Sequence, residues 1–151
     1  YLMTAPAVVD SPQTRQTLID RCGLADVFEN AKSLDTVLVS VGDVTREGTA
    51  YRYGVLPEQM RQRFVEMGAV GDLLFHYFDR DGKLIQDPIQ GRVMSVPVET
   101  LKAVPQRIVA SGGAHKVEAL LGSLRLIAPT TLITDEHCAR ALLALANDGD
   151  G

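Results

Sequence analysis

The stretch VASGGAHKVEALLGSLR, residues 109–125, constrains the fold of this chain more than any other. Val109 and Ala110 end an apolar run, and Ser111-Gly112-Gly113 then turn the chain. Val117, Leu120, Leu121 and Leu124 recur at i, i+3, i+4 and i+7, the period of one helix face. A strand that feeds a helix through a short glycine turn is half of a βαβ unit, and such units build parallel sheets. The same stretch places Lys116 in the first turn of its helix, where the partial positive charge of the helix end disfavours a cation by about 0.3–1 kcal/mol. A phosphate or carboxylate held there would remove the conflict, because Gly112 and Gly113 admit a ligand close to the backbone and the amides and the ammonium would all donate to it. The plainer alternative is a tight turn beside a surface lysine. Neither GxxxxGK[ST] nor GxGxxG occurs.

The remaining chain repeats the alternation. Ser11-Pro12 offers an N-cap and a proline at the first helical position, Leu18, Ile19 and Cys22 follow at helical spacing, and Gly23 interrupts before LADVFENAK. TVLVSVG (36–42) predicts a buried strand, and LPEQMRQRFVEMG (56–68) a helix stopped by Gly68. DLLFHYFDRDGKLI predicts a strand, an Asp81-Gly82 turn and a return strand. GRVMSVP then predicts a short strand, VETLKAVP a short helix, QRIVASGG a strand, and TLITDEHCARALLALA a strand and a helix. The expectation is an α/β fold with a mainly parallel sheet and helices on both faces, in one domain over residues 1–146 with a disordered tail at 147–151. Ligands in such sheets bind beyond the carboxyl ends of the strands, here SVGDVTREG (40–48), ASGGAHK (110–116) and LITDEH (132–137).

Charge and cysteine usage exclude several roles. Fifteen basic against nineteen acidic residues give a net charge of −4, so nucleic acid and anionic membranes are poor partners for the general surface. No apolar run approaches the length of a membrane span. Cys22 and Cys138 read as free thiols in a reducing cytosol, and His137 beside Cys138 is too little for a metal site. No metal or cofactor is expected. The opening YLMTAPAVV carries no initiator and no signal-peptide pattern, which reads as the middle of a longer polypeptide.

Other residues at the three junctions have a binding reading and a structural one. Asp72, at the entrance of a buried strand, suits a ligand's hydroxyl groups or caps a turn. Gly42 and Asp43 end a strand, where glycine serves either a ligand's close approach or the turn alone. Asp135 and Glu136 follow Thr134, which reads as an N-cap, and acids in a first helical turn need no other reason; Asp135 could also orient Lys116. His76 fits a satisfied core or edge position, and His115 either donates to an anion or points into water.

VASGGAHKVEALLGSLR followed closely by TLITDEHCARALL, with VVDSPQTRQTLI, TVLVSVG, GAVGDLLFHYFDRDGKLI and GRVMSVPVETL in order, resembles the sugar-binding domain of SorC/DeoR-type bacterial transcriptional regulators over residues 7–146. The resemblance implies an N-terminal helix-turn-helix followed by an effector domain similar to glucosamine-6-phosphate deaminase and ribose-5-phosphate isomerase, of which this chain is the later part. It implies that Lys116 contacts the phosphate of a sugar phosphate, and that Arg92, in GRVMSVP, contacts ligand or interface rather than making a surface ion pair. It also implies a bacterial cytoplasmic homo-oligomer, a dimer or tetramer, reaching operator DNA only through the N-terminal domain. The deaminase relatives use an Asp-Gly-His segment where this chain has GDVTREG without a histidine, so no acid/base pair is visible and catalysis is disfavoured. The chain also departs from the family at Leu126-Ile127-Ala128-Pro129, where similar domains carry a Gly-Gly turn. The expected function is effector binding; the alternatives are a sugar-phosphate isomerase or deaminase, or an oligomerisation domain with a vestigial pocket.

Overall fold

The computed structural model describes residues 2–147, the side chain of Asn147 excepted. The elements are α1 (Pro12–Arg21), α2 (Ala25–Ala31), β1 (Thr36–Val39), β2 (Gly42–Asp43), α3 (Thr49–Arg52), α4 (Glu58–Glu66), β3 (Ala69–Leu73), β4 (His76–Asp79), α5 (Val98–Ala103), β5 (Gln106–Ala110), α6 (Val117–Ile127), β6 (Thr131–Ile133) and α7 (Glu136–Asn147). Two 3₁₀ turns, Pro88–Arg92 and Ala114–Lys116, precede α5 and α6. The class is mixed α/β. A parallel sheet runs in the order β1-β5-β6, and a smaller antiparallel sheet in the order β2-β3-β4.

Helix α6 lies between the two sheets, which explains why it is apolar nearly all round: Ala119, Leu120, Leu121, Gly122, Ser123, Leu126 and Ile127 are all buried. Val39 and Val109 meet Leu120, Ile127 and Cys138 on one side, with Leu73 and Phe78 of the hairpin in the same cluster. Two glycines permit this approach. A Cβ on Gly71 would stand 2.6 Å from the Ala119 Cβ, and one on Gly122 would stand 2.6 Å from the Asp79 carbonyl. A second cluster joins α4 to the hairpin, where the Phe64 and Tyr77 rings stack at 3.9 Å between centroids.

Several expectations need correction. The strand 36–42 is not continuous: β1 ends at Val39, and Gly42–Asp43 leave the parallel sheet to pair with β3. GRVMSVP is no strand; Arg92 closes a 3₁₀ turn, and Val93 makes a single bridge to Val8. The Asp81-Gly82 turn is present, but its return is one bridge, Phe78 to Leu84. A tighter reversal before it had no glycine to announce it, since Leu74 and Phe75 take φ of 53° and 67°. Leu38 and Ile133, on one face of the parallel sheet, are 65% and 56% exposed. The tail 148–151 lies outside the described residues, and Asn147 closes α7.

Candidate functional site

The carboxyl ends of β1, β5 and β6 bring together the three junctions singled out from sequence. Lys116 closes the 3₁₀ turn and stands at the N-cap position of α6, rather than inside its first turn. Its half-buried side chain folds back over the sheet, where Nζ donates to the Val41 carbonyl at 2.9 Å and to Ser111 Oγ at 3.5 Å. Ser111 Oγ also donates to that carbonyl, at 3.3 Å. A strand-end carbonyl thus offsets the unfavourable helix-end field.

Gly113 takes φ of 108°, a region that favours glycine, and its amide donates to Asp135 Oδ2 at 2.7 Å. That amide, expected to face a ligand, is therefore committed to Asp135. A Cβ on Gly112 would overlap the same carboxylate oxygen. Asp135 Oδ1 accepts from the Cys138 amide at 2.9 Å, so Asp135, and not Thr134, is the N-cap of α7. The Cys138 and Gly113 amides hold the Asp135 carboxyl well down, to about 2. Cys138, buried, donates its thiol to the Gly113 carbonyl at 3.3 Å, and burial raises its pKa. Asp135 and Cys138 together fix the loop that leads to Lys116.

Asp72 lies on β3 opposite Gly42, whose missing Cβ leaves room for Asp72 Oδ1. Oδ2 accepts from the Phe75 amide at 2.9 Å. Burial pushes the Asp72 carboxyl above its ordinary range; the Phe75 amide opposes this, the Asp43 charge adds to it, and Lys116 opposes it. Asp43 is almost fully buried. Its Oδ1 accepts from the Thr45 amide at 2.9 Å and from the Thr45 hydroxyl. Among the described residues, two buried side-chain polar atoms have no hydrogen-bond partner, Asp43 Oδ2 and Thr134 Oγ1. Both stand just past the ends of parallel strands, on either side of β5 in the sheet order. His115 Nε2 is 3.7 Å from Asp43 Oδ2.

Other sequence candidates are not brought here by any contact. Arg92 Nε donates to the Val9 carbonyl at 2.7 Å and fastens the N-terminal segment. His76 is satisfied by Gln90, Val96 and Ser95, and Glu136 pairs with Arg140 on the α7 surface. An open cleft of about 650 Å³ beside the site is lined by Thr45, Arg46, Arg61, Val70, His115 and Glu118, among others, but not by Lys116 or Asp72. Its two arginines are both held by Glu58. Sequence reasoning missed Ser111, Thr45, Cys138 and the free Thr134 hydroxyl. Only the position of Ser111 and Thr134 next to strand ends could have signalled them.

A parallel strand-and-helix frame with a lysine, two carboxylates and unpaired buried oxygens near its strand ends defines the class: an α/β domain with a polar cluster in the position where such folds take small ligands. The family model described as "Putative sugar-binding domain" matches residues 1–144, and the chain belongs to that family. It is 29% identical over 148 residues to the erythritol catabolism regulatory protein EryD of Brucella abortus, covering 97% of this chain and 46% of that protein. It is 30% identical over 148 residues to the transcriptional regulator LsrR of Enterobacter sp. (strain 638), covering 96% and 46%. The chain thus spans about half the length of these relatives. Among solved structures, a transcriptional regulator from Streptococcus pneumoniae TIGR4 superposes with a TM-score of 0.87 at 25% identity, covering 98% of this chain and 56% of the other. The full-length sorbitol operon regulator SorC from Klebsiella pneumoniae superposes at 0.83 with 23% identity over 96% of this chain and 46% of that one, a likeness of fold. No described helix is long and apolar enough to cross a membrane.

Proposed function

We propose that this domain binds a phosphorylated sugar or polyol and thereby controls DNA binding by a bacterial transcriptional regulator. The observation that carries the reading is Lys116: a half-buried ammonium at a helix start, held on the Val41 carbonyl beside the Ser111-Gly112-Gly113 turn. A phosphate needs little more than a swing of that side chain to take the charge. Asp72 and Asp43, at neighbouring register positions of β3 and β2, supply carboxylates for hydroxyl groups, with Gly42 making room for Asp72 and Asp135 holding the Gly112-Gly113 turn in place. Family membership and the regulators among its relatives support effector binding rather than turnover.

In this reading residues 1–146 are the later part of an effector domain in a cytoplasmic homo-oligomer, a dimer or tetramer, and a helix-turn-helix elsewhere in the protein reads the operator. The exposed Leu38 and Ile133 support it, because a parallel sheet is ordinarily covered on both faces. Ligand binding shifts an equilibrium between two conformations that differ in DNA affinity. The test is binding of the intact protein to DNA upstream of its own gene, with and without a panel of sugar and polyol phosphates. A phosphate ester that changes the affinity at least about 5-fold is the expected result. Unchanged DNA affinity with every ester, in a protein that binds the DNA, would contradict it.

A further inference from the structure

We infer that Asp43 and His115 form a hydroxyl-recognition subsite that decides which phosphorylated sugars the domain accepts; the inference rests on the phosphorylated-ligand reading above. Asp43 is 2% exposed, and its two oxygens are treated differently. Oδ1 is doubly satisfied by the Thr45 amide and hydroxyl, which fixes the plane of the carboxylate. Oδ2 has no partner, and a buried acceptor left unpaired costs about 1–3 kcal/mol.

His115 Nε2 stands 3.7 Å from it, too far for a direct hydrogen bond. A single hydroxyl oxygen placed beside that gap reaches both atoms at hydrogen-bond distance, donating to Asp43 and accepting from the imidazole. His115 is 36% exposed at its side chain, so it is free to move outward as the hydroxyl enters. It adjoins Lys116, which places the subsite within one small molecule's length of the cation proposed to hold phosphate. The ligand class this selects is a phosphate ester with a free hydroxyl a few carbons from the phosphate. A carboxylate that only accepts rejects a ligand lacking the donor.

The experiment is calorimetric titration of the wild-type protein, Asp43→Asn and His115→Ala. The probes are ribose 5-phosphate, erythritol 4-phosphate, glucitol 6-phosphate and their single-deoxy analogues. For the esters that bind, removal of one particular hydroxyl should weaken wild-type binding about 30-fold, as expected for a hydrogen bond to a charged group. In either variant the same removal should cost less than about 3-fold, because the partner is already gone. His115→Ala alters a half-exposed side chain, so it decides the matter if Asp43→Asn fails to fold. Equal losses for every deoxy analogue in all three proteins would overturn the subsite while leaving phosphate binding intact. If no ester binds wild-type protein, the phosphorylated-ligand reading fails and the subsite fails with it.

Discussion

The Lys116 ammonium donates to the main-chain carbonyl of Val41 at 2.9 Å, tying the start of α6 to the segment between β1 and β2. Because α6 packs on both sheets, whatever draws the ammonium away from Val41 acts on the element that joins them. Under the proposed reading, a ligand taking the Lys116 ammonium would break this tie, the kind of differential contact that a ligand-driven shift requires.

Close approach of α6 to the hairpin depends on Gly71. A Cβ there would stand 2.6 Å from both the Ala119 Cβ and the Gly42 carbonyl, so Gly71→Ala should cost about 1–3 kcal/mol in urea unfolding. Gly91→Ala is the control. Its Cβ meets nothing nearer than Pro12 Cγ at 3.3 Å, and stability should change by less than about 0.5 kcal/mol.

The Leu74-Phe75 reversal can be improved. Leu74 holds φ of 53° while 40% exposed, and a left-handed conformation costs a branched residue about 1–2 kcal/mol. Leu74→Asn, which tolerates that region, should raise the thermal midpoint by roughly 2–4 °C. A lower midpoint would mean that Leu74 contributes more by packing than its exposure indicates.

Two carboxylates should bend the stability–pH curve in opposite directions. The Asp135 carboxyl is lowered to about 2 by the Cys138 and Gly113 amides. It is ionised more readily in the folded chain than in the unfolded one, so its stabilisation is present above about pH 4 and is lost as pH falls toward 2. Unfolding midpoints for wild type and Asp135→Asn should therefore converge across that interval.

Asp72 behaves the other way. Burial raises its carboxyl, so its ionised form destabilises the fold near neutrality, and stability is recovered as pH falls through the raised value toward the ordinary one. Asp72→Asn should be at least as stable as wild type at pH 7, since an amide oxygen can still accept from Phe75. It should nevertheless respond less to sugar phosphates. A variant less stable at pH 7 would show that the carboxylate is there for the hairpin and not for a ligand.

What could be read from sequence was the part governed by local chemistry. Ser11-Pro12 starts α1 as a hydroxyl cap and a proline should, and the period of Val117 to Leu124 marks α6. The three strand-end junctions were also legible, because each follows an apolar run and two of them carry a glycine turn. The division into two sheets was not, since Gly42 and Asp43 leave the parallel sheet for reasons set by β3, far along the chain. Leu74 and Phe75 carry no turn chemistry of their own; the Asp72 carboxylate holds the reversal. The resemblance implies ligand or interface contact for Arg92, and nothing in the sequence signals that its Nε donates to the distant Val9 carbonyl. Thr134 hid its free hydroxyl behind the expectation that it, rather than Asp135, caps α7.

The most direct test of the account is thermal unfolding of the intact wild-type protein and its Lys116→Ala variant against sugar phosphates and the same sugars without phosphate. A ligand at 100 times its dissociation constant stabilises by about 2.7 kcal/mol, roughly 5–10 °C for a domain of this size. The account predicts that rise for at least one phosphorylated sugar, its absence for the unphosphorylated form, and its loss in the variant. A rise that Lys116→Ala retains in full, or that the unphosphorylated sugar produces equally, would contradict it.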